Sequence, residues 1–299
     1  MKRLYVVGSS NTDMVVRTDR FPVPGETIMG GDFYMFPGGK GANQAVAATR
    51  AGGNVHFICS LGDDLFGKNA INGYIKEGID VSRVQVILGK ASGVALITVN
   101  NEGENEIVVA PGTNAELSGN HLENMLKEDW EDSLVLTQLE TPIETLIHLS
   151  KICKEKKWPL ILNPAPAQEL PKVILDGLFL ITPNETEAKL LTGITVRDEP
   201  SAMVAASSLM DSGVKNVIIT MGSKGAFFKN AEESFFTSAQ KVKVVDTTAA
   251  GDVFNGVLAV GLTEGLSWKN SIIMATKAAG ISVAKMGAQD SVPYKEEFT

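Results

Sequence analysis

The feature that most constrains the fold is the alternation of short apolar runs with amphipathic helical patterns. The apolar runs end in polar or glycine-containing turns, as buried strands do; they are Leu4–Val7, His56–Cys59, Leu134–Thr137, Leu160–Leu162, Phe179–Thr182 and Val217–Thr220. Helical patterns lie between or after them, at Ala42–Ala51, Ile143–Lys156, Glu185–Leu191, Ala202–Ser212, Gly251–Glu264 and Trp268–Lys285. This order predicts an α/β fold, in which a central, mostly parallel sheet is flanked by helices on both faces.

Two regions do not fit this alternation. Residues 14–36 are strand-like but contain Pro22 and Pro24, and residues 93–110 contain two apolar stretches around a polar turn, as in a hairpin. We interpret the two regions together as a small antiparallel β-sheet that forms a lid on a single domain spanning residues 1–299. The alternative is a set of extra edge strands on the main sheet, since mixed sheets are common.

Charge and composition exclude several classes of protein. The net charge of −8 argues against a nucleic-acid partner. No run approaches the ~18 apolar residues of a membrane helix, so we expect no membrane association and a cytoplasmic location. The two cysteines, Cys59 and Cys153, lie in apolar patterns without metal-ligand spacing, and we expect them to be buried thiols.

The three histidines, His56, His121 and His148, lie away from every motif, and we expect them to be structural. Their positions argue against a Ser-His-Asp mechanism and most zinc chemistry. A general base must therefore be a carboxylate or a lysine.

The stretch DTTAAGDVFNG, residues 246–256, places Asp252 where a glycine-containing turn becomes a helix. The first turn of a helix carries unpaired N–H groups that attract anions. Asp252 could cap the helix, or it could share this position with a bound anion, and one residue could do both.

A second glycine-rich turn, Gly38-Gly39-Lys40-Gly41, precedes the helix at 42–51. It is not a Walker A loop, and the first strand is not followed by the GxGxxG of dinucleotide-binding folds. Asn11 and Asp13 follow that first strand, where the carboxyl ends of parallel strands line a ligand crevice. Alone they would indicate an Asx turn, but with Lys40 and Asn43 they indicate recognition of sugar hydroxyls.

Two further stretches have both a structural and a functional interpretation. Asn184 and Glu187 have the spacing of a helix capping box. The stretch 220–225, TMGSKG, could present its N–H groups to phosphates, or it could be a hairpin turn into the following apolar residues.

Taken together, these stretches resemble the ribokinase (PfkB) family of sugar kinases along essentially the whole chain. The motifs that carry the resemblance are GSSNTD (8–13), PGGKGANQAVAA (37–48), QLE (138–140), NPAPA (163–167), TPNETEA (182–188), TMGSKG (220–225), DTTAAGDVFNG (246–256) and KMGAQDSVP (285–293). The second and fourth of these favour the ribose-phosphorylating branch over the fructokinase, adenosine kinase and 6-phosphofructokinase-like branches.

The resemblance implies an ATP-dependent transfer of phosphate to the 5-hydroxyl of D-ribose, with Asp252 as general base. It implies an anion hole at Ala249, Ala250 and Gly251. It implies a sugar site at Asn11, Thr12, Asp13, Gly39, Lys40, Gly41, Asn43, Glu140 and Asp252.

The remaining implied sites concern the nucleotide and the metal ions. The nucleotide region is Asn184, Thr220, Met221, Gly222, Ser223, Lys224, Gly225, Gly251, Asp252 and Thr276. Glu187 would lie near a hydrated Mg²⁺, and a site for K⁺ would comprise Asp246, Thr248, Ser282, Lys285, Gly287 and Ser291. Thr276 stands where some relatives carry a larger ring-bearing side chain, so its contact with adenine is left open.

The resemblance also implies a homodimer, because members of this family pair their lids. The apolar residues Val94, Leu96, Ile107 and Val109 fit such a pairing. Two alternatives remain: a kinase for 2-deoxyribose or another sugar or nucleoside, and a catalytically silent sugar-binding regulator. The intact Gly251-Asp252 pair argues against the second.

Overall fold

The computed structural model describes residues 2–127 and 132–299. The strands in chain order are β1 (Arg3–Val7), β2 (Asn11–Arg17), β3 (Phe33–Gly38), β4 (Asn54–Ile58), β5 (Ser60–Gly62), β6 (Gln85–Ile87), β7 (Gly93–Val99), β8 (Asn105–Ala110), β9 (Ser133–Thr137), β10 (Leu160–Leu162), β11 (Leu180–Ile181), β12 (Asn216–Thr220), β13 (Gly225–Lys229) and β14 (Ser234–Ser238). The helices are α1 (Lys40–Arg50), α2 (Leu65–Glu77), α3 (Gly119–Met125), α4 (Ile143–Lys156), α5 (Lys172–Leu175), α6 (Glu185–Thr192), α7 (Glu199–Asp211), α8 (Ala250–Thr263) and α9 (Trp268–Ser282).

The main sheet has eight strands in the order β14-β13-β12-β11-β10-β9-β1-β4. The six strands from β4 to β12 are parallel, and β13 and β14 add an antiparallel edge. The predicted α/β class is therefore confirmed. All the predicted strands are present, with ends that differ by one or two residues.

Both faces of the main sheet are covered, which explains why residues 4–7 of β1 are all apolar rather than alternating with polar residues. Leu4 and Val6 point into one core, against residues of α1, α8 and α9. Tyr5 and Val7 point into the other, against residues of α4 and α7. Because strand side chains alternate between faces, a single-residue slip of β1 would exchange the two sets.

A separate four-stranded sheet has the order β3-β2-β7-β8. It contains the two regions that broke the α/β alternation, so they do not extend the main sheet as edge strands. The outer pairs are antiparallel, but the central pair β2–β7 is parallel, which corrects the expected antiparallel arrangement. Asn11 pairs with Gly93, so both central strands start at the main domain and run outward together.

Several elements were not predicted from the sequence, namely α2, α3, α5, β5, β6 and β14. Helix α2 contains Gly67 and Gly73, which weaken the helical pattern, although Asp64 caps it by accepting a hydrogen bond from the Gly67 N–H at 2.8 Å. Strands β5 and β6 form a short parallel pair of their own. Among the described residues, no helix has both the length and the apolar character needed to span a bilayer.

Candidate active site

The carboxyl ends of β1, β9 and β10 converge on the N-terminal ends of α1 and α8. Gln138 directly follows β9, and Asn163 directly follows β10. The first helical turn of α1 contributes Lys40 and Asn43, and that of α8 contributes Asp252. Residues that are distant in the sequence thus meet at one edge of the sheet, as expected for parallel strands.

Helix α8 begins without a side-chain cap. The residue before it, Ala249, has a left-handed backbone conformation (φ 59°) and makes no capping hydrogen bond. Such a conformation costs a non-glycine residue about 1–2 kcal/mol. The N–H groups of Gly251 and Asp252 follow it and have no acceptor inside the helix. Among the described residues, nothing lies within 4 Å of where a Cβ on Gly251 would project.

The carboxylate of Asp252 is turned away from the N–H groups of its own helix and toward α1. Its Oδ2 accepts a hydrogen bond from Asn43 Nδ2 at 3.0 Å, and its Oδ1 accepts one from Gln44 Nε2 at 2.9 Å. The side chain is 5% exposed. The interpretation of Asp252 as a helix cap is therefore wrong: side chains of α1 hold the carboxylate, and α8 only carries it.

Close packing of α1 against α8 allows these hydrogen bonds. One turn after Asp252, a Cβ on Gly256 would lie 2.7 Å from the carbonyl oxygen of Gln44 and 2.7 Å from the Cβ of Ala47. Any larger residue at this position would push the two helices apart. Gly256 thus keeps the carboxylate within reach of the amides on α1.

Burial raises the pKa of Asp252, and three groups oppose this rise: the charge of Lys40 and the hydrogen bonds from Asn43 and Gln44. The net direction is upward.

Lys40 is the central cation of the site. Burial lowers its pKa, but the charges of Asp252, Glu140, Glu187 and Asp13 outweigh burial and raise it. The ammonium lies 3.9 Å from Glu140 Oε1. One fixed cation thus faces four carboxylates.

Asp13 lies on β2 with its carboxylate directly against Gly38, where a Cβ would collide with it. Burial and the neighbouring charge of Glu140 raise the pKa of Asp13 to about 6. Glu140 is fixed in turn, since its Oε2 accepts hydrogen bonds from Ser9 Oγ at 2.5 Å and from the Lys40 N–H at 2.9 Å. The structure therefore brings together Asp13, Lys40 and Glu140 of the predicted sugar set.

Other members of that set have different surroundings. Asn11 shares the strand face of Asp13 and accepts a hydrogen bond from Asn114 Nδ2 at 2.7 Å, whereas Thr12 points to the opposite face of β2. Gly39 precedes α1 with a left-handed backbone (φ 88°). Gly41 packs so closely on Gly8 and Ser9 that a Cβ would lie 2.6 Å from their backbone atoms.

Part of the expected nucleotide region, Asn184 and residues 220–225, lies at the ends of β11 and β12, whereas Gly251 and Asp252 are on α8 and Thr276 is on α9. Asn184 and Glu187 form the predicted capping box of α6, and Asn184 bridges to Thr220. The stretch Met221–Lys224 turns tightly from β12 into antiparallel β13, as the hairpin interpretation expected.

Two side chains of the expected nucleotide region, Lys224 and Thr276, contrast in their hydrogen bonding. Lys224 Nζ donates to Glu185 Oε1 at 3.1 Å and to the Arg197 carbonyl at 2.9 Å, so it is already engaged within the protein. The hydroxyl of Thr276, on α9, is buried and has no hydrogen-bond partner among the described residues.

The residues of the expected cation site come from two segments that the structure ties together. Asp246 Oδ1 accepts hydrogen bonds from the N–H and hydroxyl of Thr248, and Oδ2 accepts one from the Gly287 N–H at 2.9 Å. Ser282 and Ser291 are buried and lie close to Gly287 in the sequence. Their hydroxyls donate to the carbonyls of Ala279 and Ala288. Lys285 differs, because its ammonium pairs with Glu297 at 2.8 Å.

Metal ligands of the ordinary kind do not cluster in this site. Within residues 2–127 and 132–299 no three side chains of His, Cys, Asp or Glu are grouped as a metal site would require. The histidines make structural contacts, such as His56 with Asp80 at 2.8 Å and His148 with Glu123 at 2.7 Å. Cys59 and Cys153 are free and buried, as predicted.

Sequence reasoning missed four buried amides around Asp252. They are Gln44, Gln138, Asn163 and Gln289. All four lie inside the motifs at 37–48, 138–140, 163–167 and 285–293, so position within a motif was the available signal. Which atoms they contact required the packing of α1 against α8.

Comparison with known proteins gives a consistent result. Residues 1–295 match the family model described as pfkB family carbohydrate kinase. A ribokinase of Haemophilus influenzae is 42% identical over 296 residues, covering 99% of this chain and 97% of its own length. A deoxyribokinase of Salmonella typhi is 35% identical and covers 99% of this chain and 97% of its own. Arabidopsis thaliana ribokinase, solved with ribose and ATP, superposes with a TM-score of 0.92 at 30% identity, covering 99% and 97% of the two chains.

Proposed function

The chain belongs to the PfkB family of carbohydrate kinases and is an ATP-dependent sugar kinase, and we propose that it phosphorylates the 5-hydroxyl of D-ribose with Asp252 as general base. The products are ribose 5-phosphate and ADP. The full-length similarity to ribokinases supports ribose as the acceptor.

The observation that carries this proposal is the arrangement at the start of α8. A buried carboxylate, fixed by Asn43 and Gln44, lies beside the unpaired N–H groups of Gly251 and Asp252. A phosphoryl acceptor needs a base at its hydroxyl, and a transferring phosphoryl group needs donors for its oxygens. The carboxylate and the N–H donors lie within one turn of each other at the start of α8.

In the proposed reaction, ribose O5 attacks the γ-phosphorus of ATP while its proton passes to Asp252. The new O5–P bond forms as the bond from phosphorus to the β,γ-bridging oxygen breaks, and ADP leaves with that electron pair. The N–H groups of Gly251 and Asp252 receive the oxygens of the transferring group, because a helix N-terminus favours negative charge there. Of the expected anion hole, Ala250 differs, because its N–H already donates to the Thr247 carbonyl at 3.3 Å. Lys40 offsets part of the negative charge of the surrounding carboxylates.

Asp13 is proposed to bind the ribose hydroxyls, together with Asn11 and Glu140. Its carboxylate lies on the same strand face as Asn11, at the edge where the small sheet meets the crevice. In its ionised form it can accept two hydroxyl hydrogen bonds. Lys40 completes this set with its ammonium, 3.9 Å from Glu140. We propose that the small sheet is a lid over this sugar.

The residues present fit two kinds of metal ion. Glu187 is half of a capping box with both oxygens engaged by Asn184, which suits contact with a hydrated Mg²⁺ through water better than direct ligation. Mg²⁺ supplies neutralisation of phosphate charge when it is bound. The second is K⁺, for which the linked segments around Asp246 and Gly287 offer a carboxylate and backbone carbonyls.

We also propose a homodimer that works in the cytoplasm. Support for the dimer comes from the small sheet, which exposes Phe33, Met35, Leu96, Val108 and Val109. The register corrects the apolar set expected from sequence: Val94 and Leu96 share a face with Val108, while Ile107 and Val109 lie on the other. Support for the cytoplasm comes from the need for ATP and from two unpaired thiols, Cys59 and Cys153.

A second acceptor, 2-deoxyribose, is favoured by the similarity to a deoxyribokinase. If Asp13 accepts a hydrogen bond from the 2-hydroxyl, the deoxy sugar leaves that acceptor unpaired and should react less well. Measuring kcat/KM for ribose, 2-deoxyribose, fructose and adenosine at saturating ATP tests the proposal. We expect ribose to be preferred by at least about tenfold, with ribose 5-phosphate as product. A preference for another acceptor would contradict it.

A further inference from the structure

The strongest unassigned feature is a network of buried amides behind Asp252. Gln44 is 0% exposed and Gln138 is 1% exposed, so neither meets solvent or a ligand in the crevice. Gln44 Nε2 donates to Asp252 Oδ1 at 2.9 Å and to Asn163 Oδ1 at 3.0 Å. Gln138 Nε2 donates to Gln44 Oε1 at 2.6 Å.

The hydrogen bonds set the orientation of each amide in turn. Because Gln138 donates to the Gln44 oxygen, the Gln44 nitrogen must face Asp252. On the other side, Gln289 Nε2 donates to Asn43 Oδ1 at 3.2 Å, so the Asn43 nitrogen must also face Asp252. Each carboxylate oxygen is thereby offered a donor, and neither amide can rotate without losing its own partner.

The oxygen of the Gln138 amide takes no part in the network. Gln138 Oε1 is buried and has no hydrogen-bond partner within the described residues. Leaving an acceptor unpaired costs about 1–3 kcal/mol. The same oxygen lies against the place where a Cβ on Gly8 would be, so a larger residue at position 8 would displace it.

We propose that Gln44 is a positioning residue for Asp252, oriented by Gln138, and that this pair fixes the direction and protonation of the carboxylate. The proposal rests on the proposed role of Asp252 as base. Burial prevents Gln44 from contacting sugar or nucleotide. It acts through the two side chains to which it donates, Asp252 and Asn163, and of these Asp252 is the ionisable one.

Other charged groups also face Asp252 and must be considered in any pH dependence. Lys40, on α1, lowers the pKa of Asp252, and Glu140, which follows β9, raises it. The charges of Asp13, on β2, and Glu187, on α6, interact with Asp252 as well. A Gln44→Met variant changes none of these charges, so a shift in titration reports the lost hydrogen bond.

The test uses the full chain without sugar or nucleotide, labelled with ¹³C at the Asp carboxyl carbons. The Asp252 signal is assigned by its loss in Asp252→Asn and titrated in the native protein and in Gln44→Met. A hydrogen bond to the ionised form lowers a carboxyl pKa, so removing one should move this titration upward by about one pH unit. In assays, the acid limb of kcat should move upward likewise, with little change in KM for either substrate.

Two further variants complete the test. Gln138→Met leaves the Gln44–Asp252 contact in place but frees the Gln44 amide, and should shift the titration in the same direction by less. It also serves if Gln44→Met fails to fold. Asn216→Ala removes a buried amide at the opposite end of the sheet, where Nδ2 donates to the Phe179 carbonyl at 2.7 Å, and should lower stability without moving the titration.

An unmoved Asp252 titration in the folded Gln variants would overturn the proposal, even if kcat fell. A shifted titration in a protein that does not phosphorylate ribose would leave the positioning role intact and would contradict only the proposed substrate.

Discussion

Asn43 Nδ2 donates to Asp252 Oδ2 at 3.0 Å and joins two residues that are 209 positions apart in the chain. The contact gives Asn43 a structural role and shows what holds Asp252. Asn43, expected to bind sugar, has one amide hydrogen on Asp252 and its oxygen on Gln289, which leaves its second amide hydrogen for a ligand. Asp252, expected to cap a helix, is instead held by a neighbouring helix. The carboxylate therefore has a fixed direction before any substrate binds.

Asp13→Asn should separate sugar binding from nucleotide binding. A hydrogen bond to a charged acceptor contributes about 1.5–3 kcal/mol, so we expect KM for ribose to rise by about 10- to 100-fold while KM for ATP changes little. The measurement is steady-state kinetics with each substrate varied in turn. Asp19→Asn, on an exposed residue of the same region, is the matched control. Equal changes in both KM values would make Asp13 a structural residue.

The raised pKa of Asp13 also predicts a pH dependence of stability. Burial raises this pKa to about 6 in the folded protein from 3.8, so ionisation destabilises the fold progressively as pH rises between these values. Asp13→Asn removes the charge and should raise Tm by several degrees at pH 7.5. The difference in Tm from the native protein should shrink toward pH 4. A variant less stable than the native protein at pH 7.5 would contradict this.

Much of the site could be predicted from sequence because its residues lie in short motifs at strand and helix ends. The resemblance to the family implied one sugar site containing Asp13, Lys40, Glu140 and Asp252, and the structure brings these four charges together. The hydrogen bonds of Asp252 could not be predicted. They depend on the distance between α1 and α8, which is set by the fit of Gly256 against Gln44.

The exposed apolar residues of the small sheet predict a dimer. Light scattering at micromolar concentration should give twice the chain mass of 31.9 kDa. Val108 and Val109 are adjacent on β8 and point to opposite faces, so Val108→Asp with Val109→Asp places charge on both. We expect that double variant to be monomeric, whereas Val204→Asp, exposed on α7, should remain a dimer. A monomeric native protein would refute the lid pairing.

The two segments around Asp246 and Gly287, which a hydrogen bond links, predict activation by K⁺. Partial burial raises the pKa of Asp246, but hydrogen bonds from Thr248 and Gly287 outweigh it, so this pKa lies below its ordinary value and the carboxylate is charged. A cation bound there would steady the turn at 247–249 that leads into α8. Activity should be severalfold higher in K⁺ than in tetramethylammonium at equal ionic strength. Equal activities would exclude a functional cation site.

The small sheet is a second feature that could be predicted from the sequence only in part. Alternation and proline content separated the strands around Met14 and Val94 from the main sheet, which the structure confirms. Their parallel pairing could not be predicted, because it depends on both strands leaving the main domain side by side. The faces of Leu96 and Ile107 could not be predicted either, since only the register shows that they point in opposite directions.

The most direct test of the account is kcat of Asp252→Asn with ribose, measured together with Tm and with ATP affinity by calorimetry. Asparagine is nearly isosteric and removes a buried charge, so Tm should stay within a few degrees although one amide contact becomes mismatched. ATP should bind as well as before or better, because a negative charge near its phosphates is gone. Loss of general-base catalysis should lower kcat by a factor of about 10²–10⁴. A folded variant that binds ATP and turns over ribose at the native rate would contradict Asp252 as the base.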